Sequence, residues 1–453
     1  DVSGAMSGDH ARDLSTDLDT IAAWNASVVV TLVEAEELKS LQIPKLGQEV
    51  ARRFMEWHHW PIADFSVPTQ EFEEAWPARS EMLRALLGRG GRVLVHCKGG
   101  LGRAGMIAAR LLVEMGDAPA DAIARVREAR GPGAIETTAQ EAWVKSGKRA
   151  EAHALKAGPA SCRDRALGAL IGLAVGDAVG TTIEFSSKPE YARVRDMVGG
   201  GPFGLEAGEW TDDTAMAVAL AHSLLEDSDL DPTDLMMRFA EWVRYGTYSC
   251  QGACIDIGNT IKDAIFHFLN EDEPLAGKTG DEFSGNGALM RLAPVPIRHW
   301  PNRAKMAEVA DLQTRTTHGS PAARHASEIL ASMIADAIQG KSLAEILNSM
   351  DALRIAGGWR GLPRAAIRGS GYVVHSLQAA VWAVARTTDF RSAILLAANL
   401  GEDADTTAAV TGQLAGAIYG LSGIPSDWLD RLAWRDELEN LAGRLFDASI
   451  AEA

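Results

Sequence analysis

The sequence is poor in cysteine, in basic charge and in long apolar runs. Its four cysteines, Cys97, Cys162, Cys250 and Cys254, are too few and too unevenly spaced for a disulfide framework in a chain of 453 residues. Each therefore reads as a thiol, and the expected setting is a reducing cytoplasm. The 44 Lys and Arg are outnumbered by 61 Asp and Glu, for a net charge of −17. That field repels nucleic-acid backbones and anionic membranes, so no stable nucleic-acid binding is expected. No stretch reaches the roughly 20 uninterrupted apolar residues that span a bilayer. The best candidate, 166–179, is broken by glycines and by Asp177, and no membrane partner is expected. Asp1 to His10 carry no signal-peptide pattern, and the absence of an initiator Met points to a trimmed start. Repeats of fixed period and low-complexity tails are also missing.

What remains is the composition of a helix-rich globular chain, 47% hydrophobic and 23% charged. The length exceeds the roughly 250 to 300 residues that one core usually serves, so two or three domains are expected. From about residue 19 to 144, short apolar runs alternate with amphipathic stretches. Residues 27–32 and 92–96 read as buried strands, each followed by helix-like sequence. This is an α/β layer. The small, polar, Gly/Pro-punctuated stretch 145–163 places a boundary near 155–160, giving domains over 1–155 and 160–453. Beyond it the pattern is Ala-rich and helical, as in 214–226 and 392–400, and the second domain reads as all-α. Its loops at 198–208 and 280–287 are long and Gly-rich, where chemistry usually sits.

The segment 92–106, RVLVHCKGGLGRAGM, runs from a strand through a Gly-rich loop into a helix expected to start near Ala104. Lys98, Gly99, Gly100, Leu101 and Gly102 can turn successive amides inward around an anion, and the helix N-terminus adds its positive dipole end. The same field is expected to favour the thiolate of Cys97, and Arg103 can grip two phosphoryl oxygens. Gly100-x-Gly102-x-x-Gly105 also satisfies a dinucleotide-binding fingerprint, but the acidic residue expected at the tip of a following strand is not evident.

His96-Cys97-x-x-Gly100-x-x-Arg103 resembles the signature loop of protein tyrosine and dual-specificity phosphatases, over most of the first 150 residues. The resemblance implies an α/β fold with a central, mostly parallel sheet flanked by helices. It also implies attack on phosphorus by Cys97, a general acid for which Asp64 is the candidate, and a water-positioning side chain for which Gln140 is the candidate. The family usually carries Ser or Thr after the arginine. Here it is Ala104, and slow breakdown of the phosphocysteine, or a silent phosphate-reading module, is the alternative.

In the helical half, Thr211-Asp212-Asp213-Thr214 and Glu402-Asp403-Ala404-Asp405-Thr406-Thr407 each precede a helix. One such cluster is ordinary capping. Two packed together would need cations, and oxygen-only donors point to Mg²⁺ or Mn²⁺ rather than zinc. Cys250 and Cys254 are four apart, as zinc ligands can be, but no second pair completes a site. Gly199-x-Gly201-x-x-Gly204 is another literal dinucleotide match, with no strand before it.

This half resembles the ADP-ribosylglycohydrolase family over nearly all of 163–430. The carrying motifs, in family order, are Gly168-x3-Gly172-x3-Gly176-Asp177-Ala178-x-Gly180 with Glu184, then Glu209-Trp210-Thr211-Asp212-Asp213-Thr214, then Gly252-x3-Asp256-Ile257-Gly258-x-Thr260. Gly285-Asn286-Gly287-Ala288-x-Met290-Arg291, Thr317-His318 and Asp403-x-Asp405-Thr406 follow. The resemblance implies an all-α domain with two Mg²⁺ or Mn²⁺ ions held by Thr211, Asp212, Asp213, Asp403, Asp405 and Thr406. It implies Asp256 and Glu184 beside the reacting ribose, Ser284 to Gly287 at the diphosphate, and His318 facing the ligand. The expected activity is a bifunctional one: release of ADP-ribose from a modified protein, nucleic acid or small molecule, and hydrolysis of a phosphorylated substrate. A different glycosidic or small-molecule substrate for the metal domain is the alternative.

Overall fold

The computed structural model describes residues 13–150 and 159–452. The expected boundary near 155–160 falls largely on residues outside that range, as does the first decapeptide. The chain divides into two units, Asp1–Ala154 with Glu190–Ala192, and Leu155–Pro189 with Arg193–Ala453.

The first unit is built on three strands, β1 (Val28–Thr31), β2 (Glu56–His59) and β3 (Val93–His96), all parallel in the order β2-β1-β3. Every β1 residue is buried, as its unbroken β-branched run requires for the central strand of a covered sheet. Around the sheet lie α1 (Leu14–Ala23), α2 (Ala35–Ser40), α3 (Leu46–Arg52), α4 (Gln70–Gly88), α5 (Gly102–Met115), α6 (Pro119–Arg130) and α7 (Thr138–Lys145). In parallel sheets of this kind the crevice lies at the carboxyl ends of the strands, where the connections leave the central strand in opposite directions. The segments after β1, β2 and β3 carry Glu37, Asp64 and Cys97 to that edge. Helix α5 begins two residues before the expected Ala104, because Gly102 and Arg103 already turn helically behind the loop.

In the second unit no strand ladder forms among the described residues, and helices make up the core. Its centre is α8 (Pro159–Gly180), which runs antiparallel to the helix Ala404–Tyr419. A Cβ on Gly168, Gly172, Gly176 or Gly180 would stand 2.2, 2.2, 2.2 or 2.4 Å from the carbonyl oxygen of Gly416, Gly412, Ala408 or Ala404. The four-residue glycine period thus lets two helix backbones touch along four turns. That contact also sets the register that brings Asp177 of α8 beside Asp405. The segment Ser161–Ile183 is apolar and long enough to cross a membrane by composition, at a mean hydropathy of 1.6, but is 94% buried among other helices. Helix α9 (Asp212–Glu226) starts earlier than the sequence pattern, and the 392–400 helix is displaced to Phe390–Ala398. Asp389 caps the latter by accepting from Ser392 N at 2.8 Å.

Candidate functional sites

In the first unit Cys97 is 4% exposed and follows β3 directly. Gly100 in the loop takes φ +70°, which side chains rarely adopt. His96 behind it contacts the Thr31 hydroxyl at 2.7 Å, and Trp57 Nε1 donates to the same oxygen at 2.8 Å. Burial pushes the His96 imidazole down to about 4, so it packs as a neutral ring.

Arg103 is buried, and its guanidinium makes a two-pronged pair with Glu37, Nη1 to Oε2 at 2.6 Å and Nη2 to Oε1 at 3.0 Å. Nη1 also donates to the carbonyl of Ile62 at 2.9 Å, and Nη2 lies 3.2 Å from Asp64 Oδ1. Nε has no hydrogen-bond partner among the described residues. Burial pushes the Glu37 carboxyl up, but the Arg103 hydrogen bonds, the Glu34 amide and the charges of Arg103 and Lys98 more than offset this, and it stays below the usual carboxylate range. Gln140 is fully buried: its carbonyl oxygen accepts from Glu136 N at 2.9 Å and its amide donates to Ser66 O at 3.2 Å. It thus ties the segment carrying Asp64 to the start of α7. Lys98 and Gly99 are exposed, whereas Gly102 is buried, with the Glu136 carboxylate packed where a Cβ would go.

Glu37 escaped the sequence reading. Its only local signal was the capping-box spacing with Glu34, realised in the structure by Glu34 N donating to Glu37 Oε2 at 2.8 Å. The contact with Arg103 spans 66 residues of sequence.

In the second unit the two acidic clusters do come together. Asp177 is the frame: its Oδ1 accepts from the amide and hydroxyl of Thr211 at 2.9 and 2.8 Å, and its Oδ2 from the amide and hydroxyl of Thr214 at 3.0 and 2.6 Å. These bonds fix the first turn of α9 and aim Asp212 and Asp213 inward. The carboxylate oxygens of Asp177, Asp213 and Asp405 lie within 4.8 Å of one another, as do those of Glu184, Asp256 and Asp405. Thr211 Oγ1 stands 3.5 Å from Asp405 Oδ2, and Thr406 Oγ1 stands 3.4 Å from Asp213 Oδ2. Asp403 Oδ2 accepts from Asn286 Nδ2 at 2.7 Å.

Burial and mutual repulsion push the carboxyls of Asp212, Asp213 and Asp405 well above their usual range. Burial, then the charges of Asp405 and Asp256, push Glu184 up to about 12. Asp177, Glu184, Asp212, Asp213 and Asp405 are buried, and Asp213 Oδ1 and Glu184 Oε2 have no hydrogen-bond partner among the described residues. Clustered buried carboxylates with orphaned oxygens are unfavourable unless cations neutralise them. An all-oxygen donor set of this kind fits hard divalent cations, with Asp405 common to both carboxylate groups.

Arg291, fully buried, braces the neighbouring turn through Gly287 O at 3.2 Å, Gln313 O at 3.0 Å and Thr317 Oγ1 at 2.9 Å. His318 is 2% exposed, with Nδ1 2.9 Å from Thr317 Oγ1. A Cβ on Gly285 or Gly287 would meet its ring at 3.1 or 2.8 Å. Burial, with help from the Arg291 charge, lowers the His318 imidazole to about 3. Ser284 Oγ donates to Ser320 Oγ at 2.9 Å, and Asp256 takes φ +59°, a costly conformation for a non-glycine residue. Cys250 and Cys254 are free.

A helical unit that closes a buried acidic cluster with a glycine-registered helix pair defines the class of fold and site. Residues 158–452 match the family model of ADP-ribosylglycohydrolases, and the chain belongs to that family. Residues 4–117 match a model described as the DSP-PTPase phosphatase of polymorphic toxin systems. The chain is 43% identical over 290 residues to the ADP-ribosylarginine hydrolase Tri1 of Serratia proteamaculans (strain 568), covering 62% of this chain and 79% of that one. It is 43% identical over 298 residues to the protein of the same name from Pseudomonas putida (strain GB-1), covering 64% and 80%. A solved structure titled ADP-ribosylglycohydrolase-related protein complex is 40% identical with a TM-score of 0.56, and the match covers 64% of this chain and 99% of that one.

Proposed function

We propose that the helical unit cleaves ADP-ribose from arginine side chains of proteins, and that the α/β unit hydrolyses phosphate monoesters through Cys97, in a reducing cytoplasm. The observation that carries the first half is the buried carboxylate cluster with its two unpartnered oxygens. The arginine linkage is supported by the two relatives named as ADP-ribosylarginine hydrolases.

Thr211, Asp212, Asp213, Asp403, Asp405 and Thr406 would hold two Mg²⁺ or Mn²⁺ ions. Such ions, when bound, activate water and orient ribose hydroxyls. Asp177 holds the first turn of α9 so that Thr211 to Asp213 present their oxygens together. Asp256 and Glu184 take the acid–base roles at the anomeric carbon. Asn286, anchored on Asp403 and Ser376, orders the turn that meets the diphosphate, and His318 backs it.

In the α/β unit Cys97 attacks phosphorus, the loop amides and Arg103 Nε receive the phosphoryl oxygens, and Asp64 protonates the leaving oxygen. A second reading is favoured by Ala104 and by the Arg103–Asp64 pair: the unit binds phosphate groups without turning them over. An aryl-phosphate assay separates the two, since turnover lost in Cys97→Ser supports the enzyme, whereas saturable anion binding without turnover supports the reader. For the helical unit, ADP-ribose release from arginine-, serine- and phosphate-linked substrates is the test. Metal-dependent release from the arginine-linked one is expected, and release from another linkage alone would overturn the assignment.

A further inference from the structure

Two residues beside the acidic cluster are held in an unusual way. Phe185 follows Glu184, and Glu402 precedes Asp403. Both take the left-handed backbone conformation at φ +59°, which residues with side chains adopt at a cost and which tends to persist where function requires it. Reciprocal backbone bonds join the two segments: Phe185 N donates to Glu402 O at 2.7 Å, and Glu402 N donates to Ser186 O at 2.7 Å. Two acid-bearing loops are thus locked together at the residues flanking Glu184 and Asp403.

The side chains at this junction are available to a ligand. Phe185 is 68% exposed, with the ring of Phe203 edge-on to it, 6.2 Å between centroids. A large exposed aromatic one residue from a buried carboxylate is not accounted for by packing. The Glu402 side chain is 36% exposed, and its Oε2 lies 3.6 Å from Nη2 of Arg368, itself 59% exposed. That separation is an ion pair looser than a hydrogen bond. A guanidinium from the chain itself already approaches Glu402, in a contact weak enough for another to displace.

We infer that Phe185 and Glu402 form the acceptor subsite, where the guanidinium of an arginine-linked substrate is held as ADP-ribose leaves. The inference rests on the proposed ADP-ribosyl hydrolase activity and assigns the linkage to residues. A guanidinium is planar, stacks on aromatic faces and offers paired N–H donors to a carboxylate. A serine-linked substrate offers neither a plane nor a charge, so the pair selects arginine. The substrate guanidinium displaces Arg368 from Glu402.

The test uses the full chain with Mg²⁺ and an ADP-ribosyl-arginine substrate, comparing wild type with Glu402→Gln and Phe185→Ala. Each variant is expected to raise KM about tenfold, the scale of one lost charge-assisted contact. The inhibition constant of free ADP-ribose, which lacks the acceptor, should move less than about twofold. An unchanged KM, or a loss of ADP-ribose affinity in step with it, overturns the subsite. Agmatine binding to the ADP-ribose-loaded chain gives a readout independent of turnover. Saturable binding in wild type that is lost in Glu402→Gln supports the subsite, and no binding in wild type overturns it. If wild type binds agmatine but leaves the arginine linkage uncut, the proposed activity fails while the subsite stands.

Discussion

The groups around Cys97 balance their charges within the chain, whereas those around Asp405 do not. Arg103 meets Glu37 at 2.6 Å and Asp64 at 3.2 Å, and its Nε has no hydrogen-bond partner among the described residues. Among the described residues, no ion pair to Lys, Arg or His relieves Asp177, Glu184, Asp212, Asp213, Asp256, Asp403 or Asp405, although five of these seven are buried. The first site is therefore preorganised by its own side chains, with its cation built in. The second is electrostatically incomplete, and its geometry is held instead by hydrogen bonds to Asp177 and by the glycine contact of two helices. On the proposed function, a site of the second kind is expected to gain both stability and activity from divalent cations, while a site of the first kind is expected to be indifferent to them.

The largest effects should come from breaking that difference at its source. Chelation, or Asp405→Ala, is expected to lower ADP-ribose release about a thousandfold, the scale of losing a principal electrostatic element of catalysis, while aryl-phosphate turnover holds. The reciprocal change, Cys97→Ser, should remove phosphate release by about a thousandfold or more with ADP-ribose release intact. Parallel assays on the same preparations read both. If either change depresses both activities together, the two sites are not independent.

Next in size is the frame. Gly412→Val sets a branched side chain against the carbonyl of Gly172, where a Cβ would already stand 1.9 Å away. The cost expected is about 3 kcal/mol or more, as for severe overpacking of a core, read from the denaturant midpoint of the unit. Asp177→Asn keeps the shape but replaces two acceptor oxygens by one acceptor and one donor, which then faces the Thr211 or Thr214 amide. A loss of about 1 to 3 kcal/mol is expected, together with weaker Mn²⁺ binding by calorimetry. Unaltered Mn²⁺ affinity would show that Asp177 does not order the cluster. The smallest effect should be Ala104→Ser, which restores a hydroxyl beside the leaving thiolate and should speed phosphate release by about threefold, roughly the worth of one weak hydrogen bond.

Legibility in the sequence follows the range of the interactions. The loop after β3 and both acidic clusters were readable because each is a short run whose residue types carry the chemistry. Strands β1 and β3 were readable to within a residue or two, since their β-branched runs have few alternatives, whereas β2, Glu56-Trp57-His58-His59, has no β-branched residue and was not read. The Glu37–Arg103 pair was not readable, because nothing in Glu34-Ala35-Glu36-Glu37 beyond a cap distinguishes it from a solvated helix start. Asp177 stood inside a quoted motif without a role, since its task is to accept from Thr211 and Thr214, more than 30 residues away. Gln140 is expected to position a water, and what the sequence did not show is that its carbonyl oxygen also accepts from Glu136 N and its amide donates to Ser66 O. The glycine period of α8 was visible, but its partners Gly412 and Gly416 could be paired with it only once the antiparallel register was known.

The measurement that bears most directly on the account is ADP-ribose release from an arginine-linked peptide, followed as chelator is added and Mg²⁺ or Mn²⁺ is then restored, in wild type and Asp405→Ala. The account predicts release that is lost with chelator, recovered with the ion in wild type, and not recovered in the variant. Release that persists in chelator, with the bound metal shown to be gone, would mean that the buried carboxylates do their work without cations and would contradict it.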